Sequence, residues 1–400
     1  MRRSVLKVLA VASLVSFTLA GNGFADVAAR RAPAAPCEGK LKKLAKKVRD
    51  GLKKVGEGIK KAAQAVQVWA KRDLSSPRAL WQAISHRCDA GKKAPMDAAK
   101  WQLVWSDEFN GGDGSACYTR AALCQGQPYW GPQDCPAETQ AQLKGLNKCA
   151  WSVFHYQNYM DRTVNNFSAK DVFVKDGMLV LRSRQRPRER ITPSGRACAG
   201  NGGEWNSACE FSAGGLESRP MANTPVTGFA HQYGRFEIRA KLPGGDGSWP
   251  AHWLMPTGGT KGWPADGEID ILEAFGDPDK VAFHLHFAGP RAHEQTGVGC
   301  KLQGKKNFTD DFHVFAIEWE PSQIRYYVDD RFIGAVKHGE RNQALAPNDI
   351  PKLPFYWILN TSLAPFEKKT LFGKKTIAPK WGTFADQYHY IDYVRVYRQK

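Results

Sequence analysis

Beyond its first twenty residues the sequence has no apolar run of 18 residues, so no membrane-spanning helix is expected. None of its nine cysteines forms a C-x-x-C pair, which argues against a zinc site built on such pairs. Acid is scarce at one end. Residues 1–95 hold 21 Lys and Arg against 6 Asp and Glu, whereas the remainder holds 36 against 33. The formal charge of +18 therefore belongs to the N-terminal quarter, and the rest is almost neutral. Past residue 100 no long helical pattern alternates with the strand-like runs, which excludes a parallel α/β sheet.

The N-terminal quarter divides in two. Arg2, Arg3 and Lys7 precede a short apolar stretch, 8–20, with small residues suited to cleavage after Ala20 or Ala25. That is the pattern of a secretory signal over residues 1–25, so a secreted or periplasmic protein is expected. In such a compartment the cysteines are expected to pair, and an odd number leaves one over. Cys117, Cys124, Cys135 and Cys149 crowd one loop-like insertion, and Cys198 and Cys209 flank a Gly-rich loop.

Residues 26–95 read as a basic helical arm. Leu41, Leu44, Val48, Leu52, Val55, Ile59, Ala63 and Val66 make a narrow apolar stripe, with lysines on most other faces. A second short helix is expected over 76–88. Cys37 and Cys88 bracket the pair, so a disulfide closing a helical hairpin is expected. Two roles stay open for the arm: docking its stripe on the following domain, or binding an anionic envelope surface or acidic glycan.

From residue 101 the pattern becomes short strands and turns. Strands are expected over 103–109, 172–175, 178–184, 233–242, 281–287, 313–319, 324–328, 332–336, 355–359 and 388–397. Asp176-Gly177 is a hairpin turn signal. Residues 110–150 and 185–215 read as long loops. The fold class is all-β, an antiparallel sandwich over 96–400.

The stretch 263–276, W-P-A-D-G-E-I-D-I-L-E-A-F-G, organises the rest. Glu268 and Asp270 alternate with Ile269 and Ile271, which puts the acids on one strand face and the isoleucines on the other. Glu273 would fall on the apolar face of a regular strand. One extra residue near Ile271 or Leu272, a β-bulge, returns it to the acidic face. Three acids side by side raise each other's pKa, a cost for stability and a requirement for acid/base chemistry. Retaining glycoside hydrolysis uses such a pair, one ionised and one protonated, about 5–5.5 Å apart. Upstream, G-S-W-P-A-H-W-L-M-P at 247–256 offers Trp249 and Trp253, aromatic faces suited to sugar C–H groups. Trp253 alternates with His252 and is expected in the core.

Residues 233–276 closely resemble glycoside hydrolase family 16, in its laminarinase-like branch with a bulged E-x-D-x-x-E strand. The resemblance continues through W-S-D-E-F-N-G at 105–111, D-G-M-L-V-L at 176–181, F-H-V-F-A-I-E-W at 312–319, L-N at 359–360 and D-Y-V-R-V-Y at 392–397. It implies a β-jelly roll with a concave substrate cleft. It implies Glu268 as nucleophile, Glu273 as general acid/base, and Asp270 as the partner that holds the nucleophile's charge state. By the same resemblance, Trp249, Trp263, His286, Glu237, Arg239 and Asn360 would line the cleft. Asp392, with the carbonyl of Gly177, would hold a structural calcium. No cofactor is expected for the chemistry.

Two departures bear on substrate. Asn360 is followed by T-S-L-A-P-F-E where relatives carry a Gly-rich turn, and the Cys-bearing insertions are atypical. The expected activity is that of a secreted retaining endo-β-glycanase, with β-1,3-glucan the first choice of substrate. A galactan, or an exopolysaccharide cleaved or transglycosylated, is the alternative. From another class, a glycan- or envelope-binding protein on a hydrolase scaffold stays open. The near-neutral sandwich argues against heavily sulfated polymers. A monomer with a polysaccharide partner and no nucleic acid is expected.

Overall fold

The computed structural model describes residues 86–110, 146, 150–153, 163–187, 209–220, 227–290, 292–341, 344, 346–370 and 373–400. The expected signal, the helix over 38–72, Cys37 and most of the Cys-rich insertion lie outside the described residues. Two large sheets face each other. One orders its strands His86–Arg87, Glu294–Lys301, Lys280–Phe287, Glu268–Glu273, Ser248–Pro256, Phe355–Leu363, Gly215–Glu217 and Ser152–Val153. The other runs Arg331–Lys337, Gln323–Val328, His313–Glu320, Gly234–Lys241, Gln387–Gln399, Met178–Gln185, Phe211–Ala213 and Asn165–Phe167. Pairing is antiparallel except at His86–Arg87 and Asn165–Phe167. The described residues contain one helical turn, at Ala169–Asp171. The all-β sandwich read from the sequence is the observed architecture.

Period-two alternation builds the core. Phe236, Ile238, Phe315, Ile317, Val394 and Val396 point inward from one sheet; Leu254, Ile269, Phe283, Leu285, Trp357 and Leu359 point inward from the other. Each such side chain contributes roughly 1.5–3 kcal/mol on leaving water. Strand positions expected from the sequence mostly recur within a residue or two. Several elements were hidden, among them Ser152–Val153, Asn165–Phe167 and the Phe366–Thr370/Gly373–Ile377 hairpin. Glu294–Lys301 is a strand despite its two glycines. Phe211–Ala213 and Gly215–Glu217 are strands inside or beside the expected 185–215 loop. Short polar or Gly-rich strands pair through their backbone, and side-chain pattern does not announce them.

Of the helix expected over 76–88 only residues 86–88 are described, and they are not helical. His86–Arg87 is instead a strand edging the first sheet beside Cys300–Lys301. Cys88 bonds to Cys300, not to Cys37. Lys93 bridges to Arg331. Residues 86–95, assigned to the arm from composition, thus belong to the sandwich. Cys209 is disulfide-bonded as well. The Cys88–Cys300 link spans 212 residues of sequence and ties the start of the domain to the rim of a sheet.

A pair of histidines makes a polar contact across the core. His252, from Ser248–Pro256, and His389, from Gln387–Gln399, are fully buried, and their Nε2 atoms lie 2.9 Å apart. One must donate and the other accept, so the accepting ring is neutral. Burial pushes His389 down to about 3, and burial with the neighbouring ring holds His252 well below its usual value.

Two outcomes follow from these cross-links. The unfolded chain takes up protons near pH 6.5 that the folded pair refuses. Stability is therefore full above that pH and falls as pH drops toward 3, by about 1.4 kcal/mol per pH unit for each group. Denaturant melts between pH 7.5 and 4.5 should show this slope, and His389→Gln should flatten it; an equal slope in the variant would exclude the pair as its source. Replacing Cys88 and Cys300 together by Ser should cost about 2–4 kcal/mol and lower the Tm by several degrees; an unchanged Tm would show that the sheet edge holds without the link.

Candidate active site

The acidic strand is bulged at the expected place. Asp270 pairs with His284 and Glu273 with Ala282, so three steps on this strand match two on the next. Against the other neighbour, Asp270 pairs with Trp253 and Leu272 with His252, which places the extra residue at Ile271. Ile271 and Leu272 both enter the core, and Glu273 returns to the face of Glu268 and Asp270. The preceding Gly267 turns with φ +90, and a Cβ there would sit 2.6 Å from Pro351, so only glycine starts this strand cleanly.

Each acid has fixed partners. The Trp263 indole donates to Glu268 Oε2, and Asp270 shares a side-chain hydrogen bond with Glu268. His286 Nε2 lies 3.0 Å from Asp270 Oδ2, and its Nδ1 lies 2.7 Å from His293 Nε2. Trp249 Nε1 donates to Glu273 Oε1 at 3.0 Å, and His284 Nδ1 lies 2.6 Å from Glu273 Oε2. Gly297 opposes His284; a Cβ there would meet the Phe283 carbonyl at 2.1 Å and the His284 ring at 2.8 Å. The glycine in the hidden strand is what leaves room for this histidine.

The charges separate accordingly. Burial, then the charges of Glu268 and Glu273, push Asp270 up to about 7. Burial also raises Glu268, against the pull of His286 and Trp263. Burial works upward on Glu273 too, but the hydrogen bond and charge of His284 outweigh it and leave the carboxyl below its usual value. His286 loses to burial and gains more from the three acids, ending at about 9. As an imidazolium it donates from both nitrogens, which matches its two partners. Asp270, His284 and His286 bring ligand atoms within 4.8 Å of one another. Each histidine of the group faces an acid, His284 toward Glu273 and His286 toward Asp270, and compensates its charge.

Trp249, Trp263 and His286 therefore sit against the acids. Asn360 joins them one strand further: it pairs with Ala251, and its Oδ1 accepts from Trp253 Nε1 at 2.7 Å. Trp253 is buried, as expected, but in a second apolar cluster with Met255, Tyr356 and Ile358 on the side of Asp270, with which it pairs, while His252 faces His389 between the sheets.

Glu237 and Arg239 do not join the group. Gly234–Lys241 belongs to the opposite sheet, and Phe236 and Ile238 take its core side. Glu237 faces outward, receiving Arg235 and the Tyr393 hydroxyl. Arg239 donates to Asp392 Oδ2 at 2.6 Å. Their shared face was legible; the sheet that holds their strand was not. Asp392 and Gly177 do come to adjacent strands, since Ile391 pairs with Leu179. The Arg239 guanidinium already takes Asp392 Oδ2 there.

Sequence reasoning passed over His284, His293 and Glu217. H-L-H already placed His284 on the face of His286. Glu217 follows inward-facing Leu216 and pairs with Ile358, which pairs with Trp253. It thus stands in one row with Trp253 and Asp270, its carboxyl pushed up to about 7 by burial. The signal was the alternation in G-G-L-E-S, masked by its glycines.

The comparisons with known proteins agree with this arrangement. The model of the glycosyl hydrolases family 16 matches residues 201–378, which include the acidic strand. A β-glucanase of Rhodothermus marinus is 31% identical over 320 residues, covering 78% of this chain and 88% of that protein. Glucan endo-1,3-β-glucosidase A1 of Niallia circulans is 28% identical over 344 residues, covering 82% of this chain and 42% of that protein's length. The laminarinase catalytic domain of Thermotoga maritima superposes with a TM-score of 0.52 at 26% identity, covering 75% of this chain and 99% of that one. A bulged strand with three partnered carboxylates, on a sandwich of this topology and with these relatives, leads to one assignment: the chain belongs to glycosyl hydrolases family 16.

Proposed function

We propose that the protein is a retaining endo-β-glycanase that cleaves internal bonds of β-1,3-glucan. The observation that carries this reading is the bulge, which brings Glu268, Asp270 and Glu273 to one face with separate partners for each. The relatives, among them a β-glucanase and a glucan endo-1,3-β-glucosidase, support the substrate.

Glu268 is the nucleophile. Trp263 and Asp270 orient its carboxylate toward the anomeric carbon, and Asp270 takes the proton that the crowded pair must share. Glu273 donates a proton to the leaving oxygen, then removes one from the incoming water. Before substrate binds, His284 holds Glu273 toward its ionised form, the form needed for the second step. A sugar lying over it removes its remaining water and drives it toward the protonated form needed for the first. His284 and Trp249 fix its direction. His286 lowers the electrostatic cost of holding three acids together. Trp253, braced by Asn360, extends the same face toward Glu217.

Reducing ends released from laminarin should fall roughly 10²–10⁴-fold in Glu273→Gln, and Glu268→Gln should be at least as damaged. Laminarin cleavage by either variant at the rate of the unaltered protein would sink the role given to it. Proton NMR of fresh product should show the β-anomer first, followed by mutarotation. An initial α-anomer would mean inversion and would overturn the double-displacement reading.

A further inference from the structure

Behind the acids stands a ring that has no part in the chemistry described so far. Phe287 and Glu294 face each other across a hairpin, and the chain between them reads A-G-P-R-A-H. The Ala292 amide donates to the Gly289 carbonyl at 2.8 Å, and Ala292 itself takes φ 65. A residue with a side chain rarely adopts that conformation, and such strain persists where the surrounding structure enforces it. Ala292 is followed by His293, half-buried, whose ring comes back against the acidic strand's neighbour.

His293 touches both groups that hold the nucleophile. Its Nε2 lies 2.7 Å from Nδ1 of His286, and the two ring planes differ by 18°. Its ring centroid lies 4.6 Å from that of Trp263. On the far side of His286, Nε2 lies 3.0 Å from Asp270 Oδ2, and Asp270 shares a hydrogen bond with Glu268. The Trp263 indole donates to Glu268 directly. Two routes to one carboxylate thus start from a single ring. Hydrogen bonds at both nitrogens fix an imidazole's plane, and each bond decides which proton the other nitrogen keeps. Held by Asp270 alone, His286 could turn about that bond. Trp263 needs support for a different reason: it is 44% exposed, and a large ring in that position keeps one orientation only where something packs against it.

We propose that His293 is a positioning residue for Glu268, holding His286 by its hydrogen bond and Trp263 by its ring. The inference rests on the glycanase reading above and adds to it a residue that acts only through others. Its two contacts act on different quantities. The hydrogen bond sets the geometry of the acids and hence kcat. The ring sets the exposed indole, and hence the surface a sugar meets and KM. Misplacing a reacting group by about 1 Å costs as much as about 10²-fold in rate, so a lost hydrogen bond one ring away is measurable.

Two variants separate the contacts, made in the full chain and assayed on laminarin. His293→Phe keeps a flat ring against Trp263 and removes the hydrogen bond. Its kcat should fall about tenfold while KM stays within about twofold. His293→Gln keeps an acceptor in reach of His286 and removes the ring. Its kcat should stay within about threefold while KM rises about fivefold. A side chain that merely fills space would depress kcat alike in both variants, in step with a lowered Tm. That outcome, or a Phe variant whose kcat stays within about twofold, overturns the proposal. Where the Phe variant does not fold, His293→Ala takes its place under the same kcat criterion. Proton NMR of the histidine-labelled protein reads the hydrogen bond without turnover. The His286 Nδ1–H should give a downfield signal that survives in the Gln variant and is lost in the Phe or Ala variant. If the unaltered protein releases no reducing ends from laminarin, the glycanase reading fails, and this signal decides His293 separately. Its loss in the Phe or Ala variant alone supports the hold on His286, and its persistence there overturns it.

Discussion

One inserted residue at Ile271 is the constraint on which the site depends. A strand face repeats every two residues, so acids at 268, 270 and 273 cannot share a face without it. The bulge sends Ile271 and Leu272 together into the core, where both are fully buried. That burial makes the irregular backbone the stable one. A single local event thus ties the hydrophobic core to the chemistry, because the same two apolar side chains that fill the sandwich hold Glu273 in place.

Three carboxylates on one buried face would destabilise the sheet unless each were answered. The answers come from neighbours in space. Trp263 addresses Glu268, His286 addresses Asp270, and Trp249 with His284 addresses Glu273. Because the partners differ, the acids divide, with Asp270 and Glu268 pushed up and Glu273 pulled down. Separation of roles between chemically similar groups is what acid/base catalysis requires. The environment supplies it here through two histidines on one strand, spaced so that one reaches across the bulge and the other does not.

The frame around the site is stiff where it must be and polar where it can be. Large apolar side chains fill the space between the sheets, and the neutral His252–His389 pair is buried among them beneath the acidic strand's neighbour. On the outer face of the second sheet, Arg235, Glu237, Glu318 and Arg325 form a network of ion pairs. That network, with the separate Arg239–Asp392 pair, explains why Glu237 and Arg239 look functional in sequence. Charged residues at period two on a strand are equally the mark of an outward face satisfied by its own neighbours.

By itself the sequence determined the strand pattern, the sandwich and the bulge. All three follow from period-two alternation within a few consecutive residues, and alternation is a local property. It also brought Trp249, Trp263 and His286 to attention, because they lie near the acids in sequence or on the next strand. The tertiary structure alone decided which sheet each strand joined, and so removed Glu237 and Arg239 from the cleft and committed Asp392 to an ion pair. It alone joined Cys88 to Cys300, set His252 against His389 between the sheets and packed Trp253 into a second cluster beside Asp270. These outcomes depend on pairings between residues as much as 212 positions apart, and no local periodicity carries that information.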